Sequence, residues 1–88
     1  MEIAFSNNFK RSLRKLFKKH PEIEEKFWLK LEIFQADPLN TSLKVHKLTG
    51  RMKDFQSFSI TYDCRVIFYF ETDTRVFFVD IGSHDEVY

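Results

Sequence analysis

The sequence predicts an α+β fold of two layers, a helical hairpin packed on a small, mainly antiparallel twisted sheet, with elements in the order β-α-α-β-β-β. Three observations carry this. Apolar residues recur at helical spacing between Phe9 and Ala36, they recur at alternate positions from Phe55 to Ile81, and Asp37 with Pro38 marks the switch between the two periods. Two helices with apolar faces and a sheet with an apolar face bury all three most economically as two layers. The 88 residues fit one domain, residues 1–88, and 43% hydrophobic residues, eleven of them Phe, can supply the efficient core so short a chain needs.

Ile3 and Phe5 alternate in the opening run and are followed by Ser6, Asn7 and Asn8, residue types that cap helix N-termini. A strand therefore runs into a helix. On that helix Phe9, Leu13, Leu16 and Phe17 share one face, and Lys10, Arg11, Arg14, Lys15, Lys18 and Lys19 occupy the rest. His20 and Pro21 break it, and Pro21 suits the first turn of a second helix, where Glu22, Glu24 and Glu25 meet the positive end of the dipole. This helix bears Ile23, Phe27, Leu31 and Phe34 on one stripe and Leu29, Ile33 and Ala36 on another, which predicts cover from two sides.

Beyond Pro38 the alternation runs through Leu43, Val45 and His46, then Phe58, Ile60 and Tyr62, then Val66, Phe68 and Phe70, then Val76, Phe78 and Asp80. Strands are predicted over residues 55–62, 64–70 and 75–81. A tight link at residues 62–64 and a hairpin turn at residues 71–74 make these three strands antiparallel neighbours.

Fourteen basic against thirteen acidic residues leave a net charge of +1, so any nucleic-acid or membrane affinity must come from local clustering. Residues 10–19 hold six basic side chains and no acid, and residues 44–53 hold Lys44, Lys47, Arg51 and Lys53, again with no acid. Such patches suit contact with a phosphate backbone; a solvated helix face is the alternative for the first. A single cysteine, Cys64, and three scattered histidines offer neither a disulfide nor a closed zinc site, and no metal centre or cofactor is expected. No apolar run reaches the length of a membrane span and the charged start does not read as a signal peptide, so a cytoplasmic protein is expected.

Arg65 enters a strand that otherwise reads as core. Alternation places it with Ile67 and Tyr69 on the face away from the helices, where a guanidinium beside a basic loop suits a phosphate; the alternative is structural pairing with Asp63 or Asp80. The chain closes on IGSHDEVY, in which His84 can move a proton near neutral pH and Tyr88 offers a ring for stacking, unless both are ordinary surface residues.

The order and spacing of HKLTG at residues 46–50, ITYDCRVIFYF at 60–70 and VDIGSHDEVY at 79–88 resemble the RelE/ParE superfamily of toxins from type II toxin-antitoxin systems. Within it the chain looks most like the YafQ-like and RelE-like ribosome-dependent mRNA endoribonucleases. The resemblance implies a RelE-like fold, a cognate antitoxin, and mRNA and the ribosome as partners, with no membrane. It assigns Arg65 to the scissile phosphate, His84 to the general acid, and His46 to the base or to substrate orientation. Asp63 would orient a histidine or hold Arg65, and Tyr88 would stack on a nucleotide. Lys44, Lys47, Arg51 and Lys53 would grip RNA. The second apolar stripe, Leu29, Ile33 and Ala36, asks for a cover of its own and, together with the basic first helix, is expected to meet the antitoxin, unless the first helix covers it. One departure is that Ser57 and Ser59 stand in the strand where YafQ-like toxins carry a further histidine. Two rivals remain at this point: a non-enzymatic gyrase inhibitor of the ParE type, and a binding module whose catalytic residues have decayed.

Overall fold

A computed structural model describes residues 1–83. β1 (Glu2–Phe5) passes through Ser6 into α1 (Asn7–Lys19), and α2 (Glu22–Ala36) follows after a two-residue turn. A 3-10 turn at Thr41–Leu43 leads to the short β2 (His46–Lys47), and a second at Gly50–Met52 leads to β3 (Gln56–Ser59), β4 (Cys64–Thr72) and β5 (Arg75–Ser83). Among the described residues these strands form one sheet in the order β1-β5-β4-β3-β2. β1 lies parallel to β5, and every other pair is antiparallel. The two-layer α+β architecture is the one predicted, with β2 added at an edge and both long strands extended by two residues.

The local causes are visible in the caps. Ser6 accepts the Phe9 amide at 3.0 Å and so closes the start of α1, while Lys18 and Lys19 lie in its last turn, where a helix dipole favours cations. Asp37 and Pro38 end α2 as expected, and Glu22, Glu24 and Glu25 occupy its first turn. β4 and β5 are joined through residues 73–74.

α1 packs over β5, and the helix residues Phe9, Leu13, Phe27 and Phe34 meet Phe58, Ile60, Val66, Phe68, Val76 and Phe78 from the sheet. Phe34 sits at the centre, stacked on Phe58 at 4.9 Å and edge-on to Phe68 at 5.1 Å and Phe78 at 5.4 Å. A fully buried Phe contributes roughly 1.5–3 kcal/mol of burial free energy, so this ring cluster dominates the stability of the short chain.

Three expectations are corrected. β5 carries a bulge: Phe68 opposes Phe78 but Ile67 opposes Asp80, which leaves Val79 between the pairs. Ile81, not Asp80, is therefore the next core residue, and the Asp80 carboxylate turns to α1, accepting from the Ser12 hydroxyl at 2.9 Å. Tyr62 does not continue the β3 alternation but stands fully exposed in the link between β3 and β4. The two stripes of α2 are not separate either: Ile33 packs against the core with Ile23 and Leu31, whereas Leu29 is 57% exposed and Ala36 is also exposed.

Candidate active site

The face of the sheet away from the helices gathers the basic loop and Arg65. Ser57 and Ser59 point to this face because their neighbours Phe58 and Ile60 point into the core. Ser57 is completely buried, and its Oγ accepts a hydrogen bond from Arg65 Nε at 3.0 Å. Arg65 Nη2 donates to the Lys44 carbonyl at 2.7 Å and reaches the Ser57 carbonyl at 3.5 Å. The alternative that Arg65 is paired for structure with Asp63 or Asp80 is thereby overturned: among the described residues its partners are a hydroxyl and two carbonyls, and no carboxylate. Nη1 receives no hydrogen bond partner from these residues. The charge is held in place, and no carboxylate among the described residues neutralises it.

The register brings one more sequence candidate into the same neighbourhood. His46 on β2 lies directly opposite Ser57, so its side chain shares the face of the residue that holds Arg65. Lys44, His46, Lys47, Arg51 and Lys53 are all exposed along this edge. On the other side Arg65 is opposite Gly82, the penultimate described residue of β5. His84 and Tyr88, read from the sequence as acid and stacking group, lie outside the described residues.

Asp63 is placed elsewhere. It sits exposed at the link before β4 and, with His20, Leu16, Thr61 and Ser83, lines a cavity of about 150 Å³ on the α1 side. His20, read from the sequence only as a helix breaker, is 3.4 Å from Glu22 and borders a second cleft with Lys15 and Lys19. Among the described residues, no group of three or more His, Cys, Asp or Glu is gathered in a way that could hold a metal ion. No helix among them is long and apolar enough to cross a membrane.

The proposed antitoxin residues are partly dispersed. Ala36 lines an apolar groove with Ile3, Trp28 and Leu31, bordered by Glu32 and Gln35, whereas Leu29 stands apart from it and Ile33 is a core residue. Trp28, 46% exposed and edge-on to Phe27 at 5.0 Å, is the large apolar residue of this surface that the stripe pattern missed. Its isolation from both stripes hid it, although an exposed Trp is itself a signal.

Comparison with known proteins places this geometry. No curated protein matches the sequence. Among solved structures, the crystal structure of YafQ from E. coli strain BL21(DE3) superposes with a TM-score of 0.78 at 23% identity, covering 99% of this chain and 97% of that one. YafQ in the E. coli DinJ-YafQ complex gives 0.76 at 24% identity, with 99% and 97% covered. A metal-bound toxin from Helicobacter pylori gives 0.78 at 25%, with 100% and 99% covered. These likenesses establish the fold. The family described as the bacterial toxin of type II toxin-antitoxin system, YafQ, matches residues 1–88, and the chain belongs to that family.

Proposed function

We propose that the chain is a single-domain endoribonuclease that cleaves mRNA on the ribosome in the cytoplasm, inhibits translation, and is neutralised by a cognate antitoxin. The observation that carries the reading is the Arg65 guanidinium, oriented by Ser57 and the Lys44 carbonyl, with Nη1 left unpaired by the described residues and a basic edge beside it. A fixed cation that no described carboxylate neutralises suits a phosphate gaining negative charge.

In the proposed reaction the ribose 2′-OH attacks the adjacent phosphate. Arg65 stabilises the charge that develops on the non-bridging oxygens. His46, on the same face, takes the hydroxyl proton or orients the ribose, and His84 protonates the departing 5′-oxygen. Tyr88 stacks on a neighbouring base, and Lys44, Lys47, Arg51 and Lys53 hold the backbone. Asp63, which faces the α1 side, is assigned to orienting a histidine and no longer to holding Arg65. The small side-chain set fits an enzyme whose substrate geometry is supplied by the ribosome. The antitoxin reading is supported by the complex in which the E. coli relative is bound to DinJ.

Incubating the protein with programmed ribosomes and mapping mRNA ends tests the reading. Cleavage that disappears in Arg65→Ala supports it, and translation that continues with intact mRNA overturns it.

A further inference from the structure

The Arg65 guanidinium is held from two sides, and one of the two supports is unusual. Lys44 is a non-glycine residue with positive φ, at φ 50° and ψ 54°, in the left-handed helical region. It follows the 3-10 turn at Thr41–Leu43, and its own amide closes that turn on the Thr41 carbonyl at 3.2 Å. The left-handed conformation leaves the Lys44 carbonyl 2.7 Å from Arg65 Nη2. The Cβ of a non-glycine residue disfavours this conformation, so the surrounding contacts must hold it there.

The second support is Ser57, with no exposed surface, whose hydroxyl meets Nε at 3.0 Å. Nε and Nη2 lie on one side of the planar guanidinium, and both are occupied. The plane is thereby fixed, and Nη1 is turned away from the protein contacts that hold it. An arginine free in solution loses considerable rotamer entropy when it orders against a phosphate; one already ordered does not lose it at the moment of reaction.

We infer that Ser57 and the left-handed Lys44 form a positioning pair that pre-orients Arg65 for the scissile phosphate, an inference that rests on the proposed ribonuclease reading. Ser57 is a positioning residue and touches no substrate. Lys44 contributes twice, through its backbone carbonyl to Arg65 and through its ammonium group to RNA.

The test measures cleavage on programmed ribosomes together with solvent exchange of the Arg65 Nε proton by NMR in the free protein. Ser57→Ala is expected to slow cleavage about tenfold with the half-saturating concentration nearly unchanged, because the group lost acts on the transition-state contact. Exchange at Nε should accelerate in the same variant. In an Arg65→Ala background Ser57→Ala should add no further loss, as expected for two residues acting as a unit. Lys44→Gly and Lys44→Val both lose the ammonium group, but only Val resists the left-handed conformation, so Val should be several-fold slower than Gly. Unchanged Nε exchange in Ser57→Ala, an undiminished effect of Ser57→Ala without Arg65, or equal rates for Lys44→Gly and Lys44→Val would each overturn the inference. Absence of cleavage by the unmodified protein would instead overturn the ribonuclease reading, and the exchange comparison would still decide whether Ser57 holds Arg65.

Discussion

The Ser6 hydroxyl donates to the Val79 carbonyl at 2.9 Å while accepting the Phe9 amide, so one side chain caps α1 and ties it to the bulge in β5. Val79 is the residue skipped at the register shift between the Ile67–Asp80 and Phe68–Phe78 pairs, and Asn8 adds a second donor to its carbonyl at 3.3 Å. The helix start and the strand irregularity thus satisfy one another across 73 residues of sequence.

Ser6→Ala is expected to destabilise the fold by about 2–3 kcal/mol, the sum of a lost N-cap and a lost side-chain bond to a bulge carbonyl. Asn8→Ala, which leaves the stronger contact in place, should cost less than about 1 kcal/mol. Urea unfolding of the two variants measures the difference. Equal effects would show that the bulge contact and not the cap carries the stabilisation.

Phe34→Ala should cost about 3–5 kcal/mol, because the ring is fully buried and removing it leaves a void among Phe58, Phe68 and Phe78. Trp28→Ala, at a half-exposed position, should cost less than half as much. Thermal or chemical denaturation checks the ratio.

The layers, the two helices and the long strands were legible in the sequence because each is a run of apolar residues at one period, bounded by Ser6, Pro21 and Pro38. The bulge at Val79 was not. Nothing in VFFVDIGS marks where the alternation slips, and the side chains that meet the slipped residues, Ser6 and Ser12, lie far away in the chain. Arg65 was legible as a charge that had to avoid the core. Its supports were not, since Ser57 reads as an unremarkable polar residue and the conformation of Lys44 follows from a 3-10 turn that has no sequence period. Asp63 is adjacent to the Arg65 strand in sequence, yet the link between β3 and β4 carries it to the opposite side of the sheet.

Arg65→Ala should reduce cleavage about a hundredfold, the usual effect of removing one group that stabilises transition-state charge. Stability should fall by no more than about 3 kcal/mol, since the buried Ser57 hydroxyl and the exposed Lys44 carbonyl each lose a hydrogen bond. Parallel rate and denaturation measurements decide. A variant that unfolds while its folded fraction cleaves normally would make Arg65 structural.

Leu29→Glu should weaken antitoxin binding by at least tenfold without loss of the fold, because Leu29 projects from α2 and is mostly exposed. Trp28→Ala should have a comparable effect if the groove it lines with Ile3, Leu31 and Ala36 belongs to the same interface. Ile33→Glu is expected to unfold the protein instead, since Ile33 packs on the core, and it serves as the contrast. Calorimetric titration with the antitoxin, beside circular dichroism of each variant, separates the outcomes. Unaltered affinity in both Leu29→Glu and Trp28→Ala would place the antitoxin elsewhere.

The proposed chemistry moves protons between side chains and the substrate, so its signature lies in the nucleophile and the leaving group. If the attacking group is the 2′-OH, a single 2′-deoxy substitution at the scissile nucleotide should abolish cutting while leaving binding nearly unchanged. His84→Ala should slow the same step by about 10² to 10⁴, the range a general acid typically contributes, because an unprotonated 5′-alkoxide is a poor leaving group. His84→Gln separates two roles: it keeps a hydrogen bond donor but cannot deliver a proton, so it should be almost as slow as His84→Ala if proton transfer is the role. Cleavage should also persist with EDTA under conditions that keep the ribosome intact, since Arg65 supplies the positive charge that a metal would otherwise provide. Cutting of the 2′-deoxy substrate would end the transesterification mechanism. Full activity in His84→Gln would move the acid to another residue, and His46, across the strand pair from Ser57, is the next to test.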